Sequence, residues 1–241
     1  MSVRAAVSVA VVDSGVNVPH PHLPAVAGGL ALDLEGKVSD EYVDRLGHGT
    51  AAAAAIHEKA PDAELWVVKV FDRELATTVA TLVRAMDWAS ERGCRLVNMS
   101  LGTPNEFRES ELAPAVERAV ARGTIVVSAF EHQGQRWYPG CLSGALGVVM
   151  DEAQPRESVS VVEIDGCRVL KACAYPRPIP GVPPERNLNG ISFAVANATG
   201  VLARLLEGEP DVRTALDAVQ LVESRVTGRA GGILAARPGR Q

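Results

Sequence analysis

The fold of this 241-residue chain is decided by residues 7–15, which read VSVAVVDSG. The run Val7–Val12 is almost continuously apolar and rich in β-branched valine, which is typical of a strand buried on both faces of a parallel sheet. A carboxylate, Asp13, follows this run directly. Because open parallel sheets gather functional groups at the carboxyl ends of their strands, Asp13 is a candidate site residue.

Short apolar runs alternate with helical patterns through the first half of the chain. Further strands are predicted at 65–70, 96–99 and 124–129, and helices at 49–59, 77–92 and 110–122. This alternation is typical of parallel strands joined by crossover helices. The sequence therefore predicts an α/β fold with a doubly wound, mainly parallel sheet flanked by helices in three layers.

The second half of the chain holds a predicted hairpin, a surface loop and two more helices. Asp165 and Gly166 separate alternating runs at 159–164 and 167–172, a pattern that favours a hairpin. Residues 176–189 are rich in Pro and Gly and are predicted to form a loop, and helices are expected at 192–206 and 212–223. We expect a single domain over residues 1–241, with a loose tail from about Gly228.

Charge and composition argue against several classes of partner. The net charge of −5 and the pI near 5.6 provide no basic field for phosphates, so nucleic-acid binding is not expected. No apolar run is long enough to span a bilayer, and the apolar start of the chain reaches Asp13 too soon for an export signal. The four cysteines lack metal-ligand spacing and are expected to be reduced thiols. These features predict a cytoplasmic protein without a metal, cofactor or membrane partner.

Three side chains of complementary chemistry stand at the ends of predicted elements. Asp13 follows the first strand, His48 opens a helix within the sequence Gly-His-Gly-Thr, and Ser192 lies where a loop enters a helix within Gly-Ile-Ser-Phe-Ala. A hydroxyl, an imidazole and a carboxylate are the nucleophile, the base and the orienting acid of nucleophilic catalysis. The sequence therefore offers one candidate catalytic set.

The same segments resemble the subtilisin-like serine peptidase family. The family's Asp block is similar to residues 11–15, and its His-Gly-Thr block is similar to residues 48–50. Its Gly-Thr-Ser-Met-Ala block is similar to residues 190–194, with Ile191 and Phe193 as substitutions. The chain order Asp, His, Ser is that of subtilisin and differs from the order in other folds that carry this triad.

The resemblance implies roles for the residues that match. Asp13, His48 and Ser192 would form the catalytic triad. The family's substrate-binding strand resembles the sequence VNMSLG, so an extended peptide would pair with Ser100, Leu101 and Gly102. The family's calcium-binding loops and propeptide have no recognised counterpart, so the resemblance implies neither calcium nor a propeptide.

The block that carries the family's oxyanion residue departs from the pattern. His132 stands where the family has an Asn that stabilises the oxyanion, which makes His132 the oxyanion candidate. Phe130 and Glu131 replace small residues that line the pocket for the side chain preceding the scissile bond. A filled or acidic pocket would select a different substrate from that of a broadly degradative enzyme.

Three functions follow from the resemblance and remain open at the level of sequence. The first is a serine endopeptidase, dedicated to processing a peptide or protein precursor that binds in an extended conformation. The second is a peptide-binding pseudoprotease that is weak or inactive in catalysis, which the substitutions at 130–132 favour. The third is an acyl-transfer ligase or cyclase, in which an amine resolves the acyl-enzyme in place of water.

Overall fold

The computed structural model describes residues 6–183 and 186–231 of the chain. Its strands are β1 (Ser8–Asp13), β2 (Gly28–Leu32), β3 (Val38–Ser39), β4 (Glu64–Lys69), β5 (Leu96–Met99), β6 (Ile125–Ala129), β7 (Glu131–His132), β8 (Gln135–Arg136), β9 (Leu146–Met150), β10 (Val159–Ile164) and β11 (Cys167–Ala172). Its helices are α1 (His48–Lys59), α2 (Val79–Glu91), α3 (Glu109–Ala121), α4 (Ile191–Leu205) and α5 (Ala215–Gly231), and a 3₁₀ turn at Glu106–Arg108 precedes α3.

One nine-stranded sheet organises the molecule, in the order β10-β11-β9-β6-β5-β1-β4-β2-β3. The pairs from β11 through to β2 are parallel, and the antiparallel pairs β10–β11 and β2–β3 form the two edges. The predicted mainly parallel α/β sheet is thereby confirmed. Strand β1 lies between β4 and β5, so its carboxyl end at Asp13 is central in the sheet.

Helices cover both faces of the sheet, as the prediction of three layers requires. Val9 and Val11 of β1 pack in one buried cluster with residues of α1, α4 and α5. Ala10 and Val12 pack in a second cluster with residues of α2 and α3. Because side chains alternate between the faces of a strand, burial on both faces explains the continuous apolar run at the start of the chain.

Several elements differ from the sequence-based predictions. Strand β2 was not predicted because its two glycines weaken the strand pattern. Gly29 lies so close to β4 that a Cβ atom there would be 2.4 Å from the carbonyl oxygen of Val67. The short β7–β8 hairpin occupies a segment predicted as loop. Helix α5 is described as far as Gly231, and the rest of the tail that was predicted to be loose lies outside the described residues.

The helices that carry the candidate base and nucleophile pack directly against each other. At Gly200 of α4, a Cβ atom would lie 3.0 Å from both the Cα and the carbonyl oxygen of Ile56 on α1, and 3.1 Å from the Cβ of Lys59. Backbone atoms cannot move aside as the end of a flexible side chain can. Glycine at this position therefore sets the distance between α1 and α4.

We expect Gly200→Val to lower the free energy of unfolding by about 1–3 kcal/mol, because the added carbons overpack the contact between α1 and α4. Urea denaturation of the parent and the variant would measure this. The matched control is Arg204→Val, which places the same side chain at an exposed position of the same helix and should change stability by less than about 0.5 kcal/mol. Equal effects of the two substitutions would contradict a tight contact at Gly200.

Candidate active site

The first component of the site is a carboxylate at the carboxyl end of β1. The side chain of Asp13 is fully buried. Its Oδ1 accepts hydrogen bonds from the backbone N–H of Ser14 and from Nδ1 of His48, each at 2.7 Å. Its Oδ2 has no hydrogen-bond partner in the described part of the chain. The contact to His48 fixes the imidazole tautomer, since Nδ1 must carry the proton and Nε2 is then free to accept one.

Helix α1 can approach β1 this closely because residue 49 is glycine. A Cβ atom on Gly49 would lie 2.2 Å from the carbonyl oxygen of Gly15 and 3.2 Å from the Cβ of Asp13. Any larger residue would push the start of the helix away from the end of the strand. The Gly that follows His48 in the sequence therefore permits the contact between Asp13 and His48.

The electrostatic surroundings favour a proton on His48. Burial disfavours the charged ring, but the hydrogen bond to Asp13 and the negative charges of Asp13 and Asp44 together raise the pKa of His48 above its ordinary value. A base of this kind holds a proton better than free imidazole does, and it acts as a base only above its pKa.

A second buried carboxylate, Asp44, lies beside this pair, and the sequence analysis did not identify it. Hydrogen bonds from Thr50 and Ser14 and from the backbone of Leu46 outweigh the effect of burial and lower the pKa of Asp44. The available signal was an acidic residue just ahead of a predicted helix, where a carboxylate commonly accepts bonds from backbone N–H groups.

The candidate nucleophile is the second residue of α4, which begins after Gly190 at a φ of 138°. The hydroxyl of Ser192 donates to the carbonyl oxygen of Ser100 at 2.9 Å. No hydrogen bond joins Ser192 to His48 among the described residues. The next residue of α4, Phe193, does contact the imidazole, with ring centroids 5.3 Å apart. The structure thus brings Asp13 and His48 into contact, whereas the Ser192 hydroxyl is hydrogen-bonded to the backbone of Ser100.

A chain of buried polar groups ties the start of α4 to the end of β5. The Ser100 hydroxyl donates to the carbonyl oxygen of Ser192 at 2.8 Å and accepts from the Asn98 amide at 2.9 Å. The Asn98 side-chain oxygen in turn accepts from the Thr199 hydroxyl at 3.0 Å. Ser100 and Ser192 therefore exchange two hydrogen bonds, which fixes the predicted substrate strand against the predicted nucleophile.

The remaining residues of the predicted substrate strand line an open cavity. Leu101 and Gly102 form one wall of a space of about 560 Å³, and Thr78 and Val79 at the start of α2 form another. The carbonyl oxygen of Leu101 accepts from the Ser128 hydroxyl at 3.1 Å. The backbone N–H and C=O of Gly102 make no hydrogen bond within the described residues. Gly102 thus has the two groups that an added strand requires.

Phe130 and Glu131, which were predicted to line the substrate pocket, interact with Arg136 on the neighbouring strand. Phe130 is buried, and the guanidinium carbon of Arg136 lies 4.1 Å from its ring centroid. A carboxylate oxygen of Glu131 lies 3.5 Å from the same guanidinium. Arg136 also pairs with Asp165 in the turn between β10 and β11. Arg136 therefore covers the ring of Phe130 and pairs with Glu131, so that Glu131 is not a free acid.

His132 lies on β7, in a hairpin whose turn is formed by Gln133 and Gly134, with φ values of 53° and 75°. Its ring packs edge-on against Trp137, with centroids 6.0 Å apart. Its Nδ1 is buried and has no partner in the described part of the chain. The ring thus retains a nitrogen that no protein group in the described residues uses.

Residues 6–183 and 186–231 offer neither a metal site nor a membrane span. In that range no group of three or more His, Cys, Asp or Glu side chains could hold a metal ion, and no helix has both the length and the apolar character needed to cross a membrane. All four cysteines lie in the described residues and none forms a disulfide. Burial raises the pKa of the Cys94 thiol to about 12, so this thiol is not a nucleophile near neutral pH.

Known proteins with similar sequences are named as proteases or subtilisins. M-protease of Shouchella clausii (strain KSM-K16) is 32% identical over 216 residues, which cover 85% of this chain and 55% of that protein. Subtilisin Savinase of Lederbergia lenta is 31% identical over 216 residues, which cover 85% of this chain and 77% of that protein. The chain thus spans little more than half the length of the first of these relatives.

Solved structures support the same fold. A cold-adapted subtilisin-like serine proteinase superposes with a TM-score of 0.68 at 20% identity, covering 91% of this chain and 81% of that one. Sphericase superposes with a TM-score of 0.67 at 22% identity, covering 92% and 83%. The sequence model of the subtilase family matches residues 4–167, which include β1, α1 and the hairpin that carries His132. The chain therefore belongs to the subtilase family.

Proposed function

We propose that this chain is a serine endopeptidase that uses Asp13, His48 and Ser192 as its triad. The observation that carries the proposal is the 2.7 Å hydrogen bond between a fully buried carboxylate and the imidazole of His48, beside a helix whose second residue is serine. Burying an ionised carboxylate is costly unless it is paired, and the pairing here holds the imidazole with Nε2 available as a base.

The first half of the reaction forms an acyl-enzyme. The Ser192 hydroxyl leaves the Ser100 carbonyl by rotation about χ1 and transfers its proton to Nε2 of His48 as its Oγ attacks the scissile carbonyl carbon. A C–O bond forms, and the carbonyl oxygen becomes an oxyanion. Asp13 stabilises the imidazolium through Nδ1–H. The C–N bond then breaks as His48 gives the proton to the leaving amine.

The second half regenerates the enzyme. Water attacks the acyl carbon while His48 takes one of its protons. The bond to Ser192 breaks, the carboxylic acid product leaves, and His48 returns the proton to Ser192. Because His48 must be unprotonated at the start of both steps, the groups that raise its pKa also raise the pH below which turnover falls.

The substrate in this proposal is a peptide or protein segment in an extended conformation. Unpaired backbone groups at Gly102 support strand addition, because main-chain bonds bind an extended peptide whatever its sequence. The cavity beside Leu101 would accept a side chain of the bound segment. The buried ring of Phe130 and the ion pair between Glu131 and Arg136 support selection of particular precursors, and hence a dedicated processing role. We propose that this role is exercised in the cytoplasm.

A peptide-binding pseudoprotease is the second candidate. It is favoured by His132 at the oxyanion position and by the Ser192 hydroxyl, which bonds to Ser100 rather than to His48.

Acyl transfer to an amine would use the same triad and the same acyl-enzyme. Product analysis by mass spectrometry separates it from hydrolysis, because ligation retains the mass of the acyl and amine fragments without adding water.

Ser192→Ala and His48→Ala should each abolish hydrolysis of a casein-derived peptide mixture, because members of a triad act as a unit. The parent should also be labelled by a fluorophosphonate and Ser192→Ala should not. The matched control, Ser110→Ala on the exposed face of α3, should retain both activity and labelling. A folded parent that binds peptides but is neither labelled nor active would establish the pseudoprotease.

His132→Ala should lower kcat by about ten-fold or more with little change in KM, because an oxyanion donor acts mainly in the transition state. Loss of such a donor costs about 10²- to 10³-fold in subtilisin itself, the enzyme in which that figure was measured. His132→Asn should preserve or raise kcat, since it restores the family's residue. The control is His57→Ala on α1. If His132→Ala is as fast as the parent, backbone N–H groups alone stabilise the oxyanion.

A further inference from the structure

Asp44 accepts five hydrogen bonds although it lies in an irregular segment ahead of α1. One oxygen accepts from the Ser14 hydroxyl at 2.8 Å and from the backbone N–H groups of Leu46 and Gly47 at 2.9 and 2.8 Å. The other accepts from the backbone N–H and the hydroxyl of Thr50 at 2.8 and 2.6 Å. The residue is 5% exposed. A buried carboxylate with this many donors is held rigidly and stays ionised.

These donors lie on both sides of His48. Gly47 and Thr50 flank the imidazole residue along the chain, and both bind the same carboxylate. Gly47 has a left-handed φ of 79° and supplies no side chain to cap α1. Asp44 therefore takes the place of a helix cap and fixes the backbone that carries His48.

Ser14 connects Asp44 to Asp13, the hydrogen-bond partner of His48. Its hydroxyl donates to Asp44 and accepts from the backbone N–H of Gly49 at 2.9 Å, while its own backbone N–H donates to Asp13. A single residue thus links both carboxylates and the first turn of α1. The relative position of Asp13 and His48 depends on this link.

The charge of Asp44 also acts on the imidazole. Asp13 from β1 and Asp44 from the segment before α1 are the charged groups that act on His48 within the described residues, and α4 packs the uncharged Phe193 against it. Burial weakens screening by water, so two negative charges stabilise the imidazolium more than one does.

We propose that Asp44 is a positioning residue of the active site: it fixes residues 46–50 so that His48 meets Asp13, and its charge stabilises the imidazolium formed when Ser192 loses its proton. The inference rests on the proposed triad. It differs from a purely structural capping role, because a cap would affect stability alone, whereas a second charge must also change the protonation of His48.

The test compares the pH dependence of kcat/KM in the parent and in Asp44→Asn. Removing the charge should move the acid limb to lower pH, because the pKa of His48 falls when an anion near it is lost. The rate at the plateau should drop by about 10- to 100-fold, mainly in kcat, because the imidazole is no longer held in register. Asp87→Asn on α2, across the sheet, is the matched control and should move neither quantity.

A second variant keeps the test decisive if Asp44→Asn does not fold. Ser14→Ala removes the connecting hydroxyl and leaves both charges, so it should lower kcat by about ten-fold and move the acid limb less than Asp44→Asn does. Parent-like kinetics for Ser14→Ala, or an unshifted acid limb for a folded Asp44→Asn, would overturn the inference.

Proton NMR titration of the His48 ring distinguishes this failure from failure of the proposed function. The titration is done in a Ser192→Ala background, with and without Asp44→Asn, so it needs no turnover. A lower midpoint in the double variant supports the role of Asp44 even if the parent cleaves nothing. An equal midpoint in both proteins contradicts it even if the parent is an active peptidase.

Discussion

The structure around the site depends on one constraint, a fully buried carboxylate at the end of the central strand. Asp13 cannot be left without donors at that depth, since an unpaired charge in the interior costs several kcal/mol. Donors come from Ser14 and His48, and His48 reaches Asp13 only because Gly49 lets α1 approach within contact of the strand. The orientation of the His48 imidazole therefore depends both on Gly49 and on the central position of β1 in the sheet.

The layers of the fold could be predicted because burial leaves a local record in the sequence. β1 is apolar at successive positions since Val11 and Val12 face opposite helical layers. The sequence of β2 shows no such pattern. Its position in the sheet depends on the close approach of Gly29 to Val67, a contact that only the folded structure shows. The β7–β8 hairpin likewise depends on a positive φ at Gln133, a residue whose type does not signal that conformation.

Part of the candidate site could likewise be predicted from local sequence, and part of it could not. Asp13, His48 and Ser192 each stand at the end of an element, so local context marked them. Asp44 stands in a polar segment ahead of α1, and one of its donors, Ser14, is distant in sequence. The bond from Ser192 to the Ser100 carbonyl joins residues still further apart. Contacts between distant segments leave no pattern in the sequence of either segment, so these hydrogen-bond partners could not be predicted from the sequence.

The resting contact of Ser192 is compatible with catalysis on energetic grounds. Moving the hydroxyl from Ser100 to His48 exchanges one hydrogen bond for another, and such bonds contribute about 1 kcal/mol net. That amounts to roughly a ten-fold effect on rate at most, whereas loss of the triad serine or histidine costs about 10⁶-fold in subtilisin, where it was measured. The serine rotamer is therefore a minor term. What separates a peptidase from a peptide-binding relative is the donor facing the oxyanion, which is the role that we propose for His132.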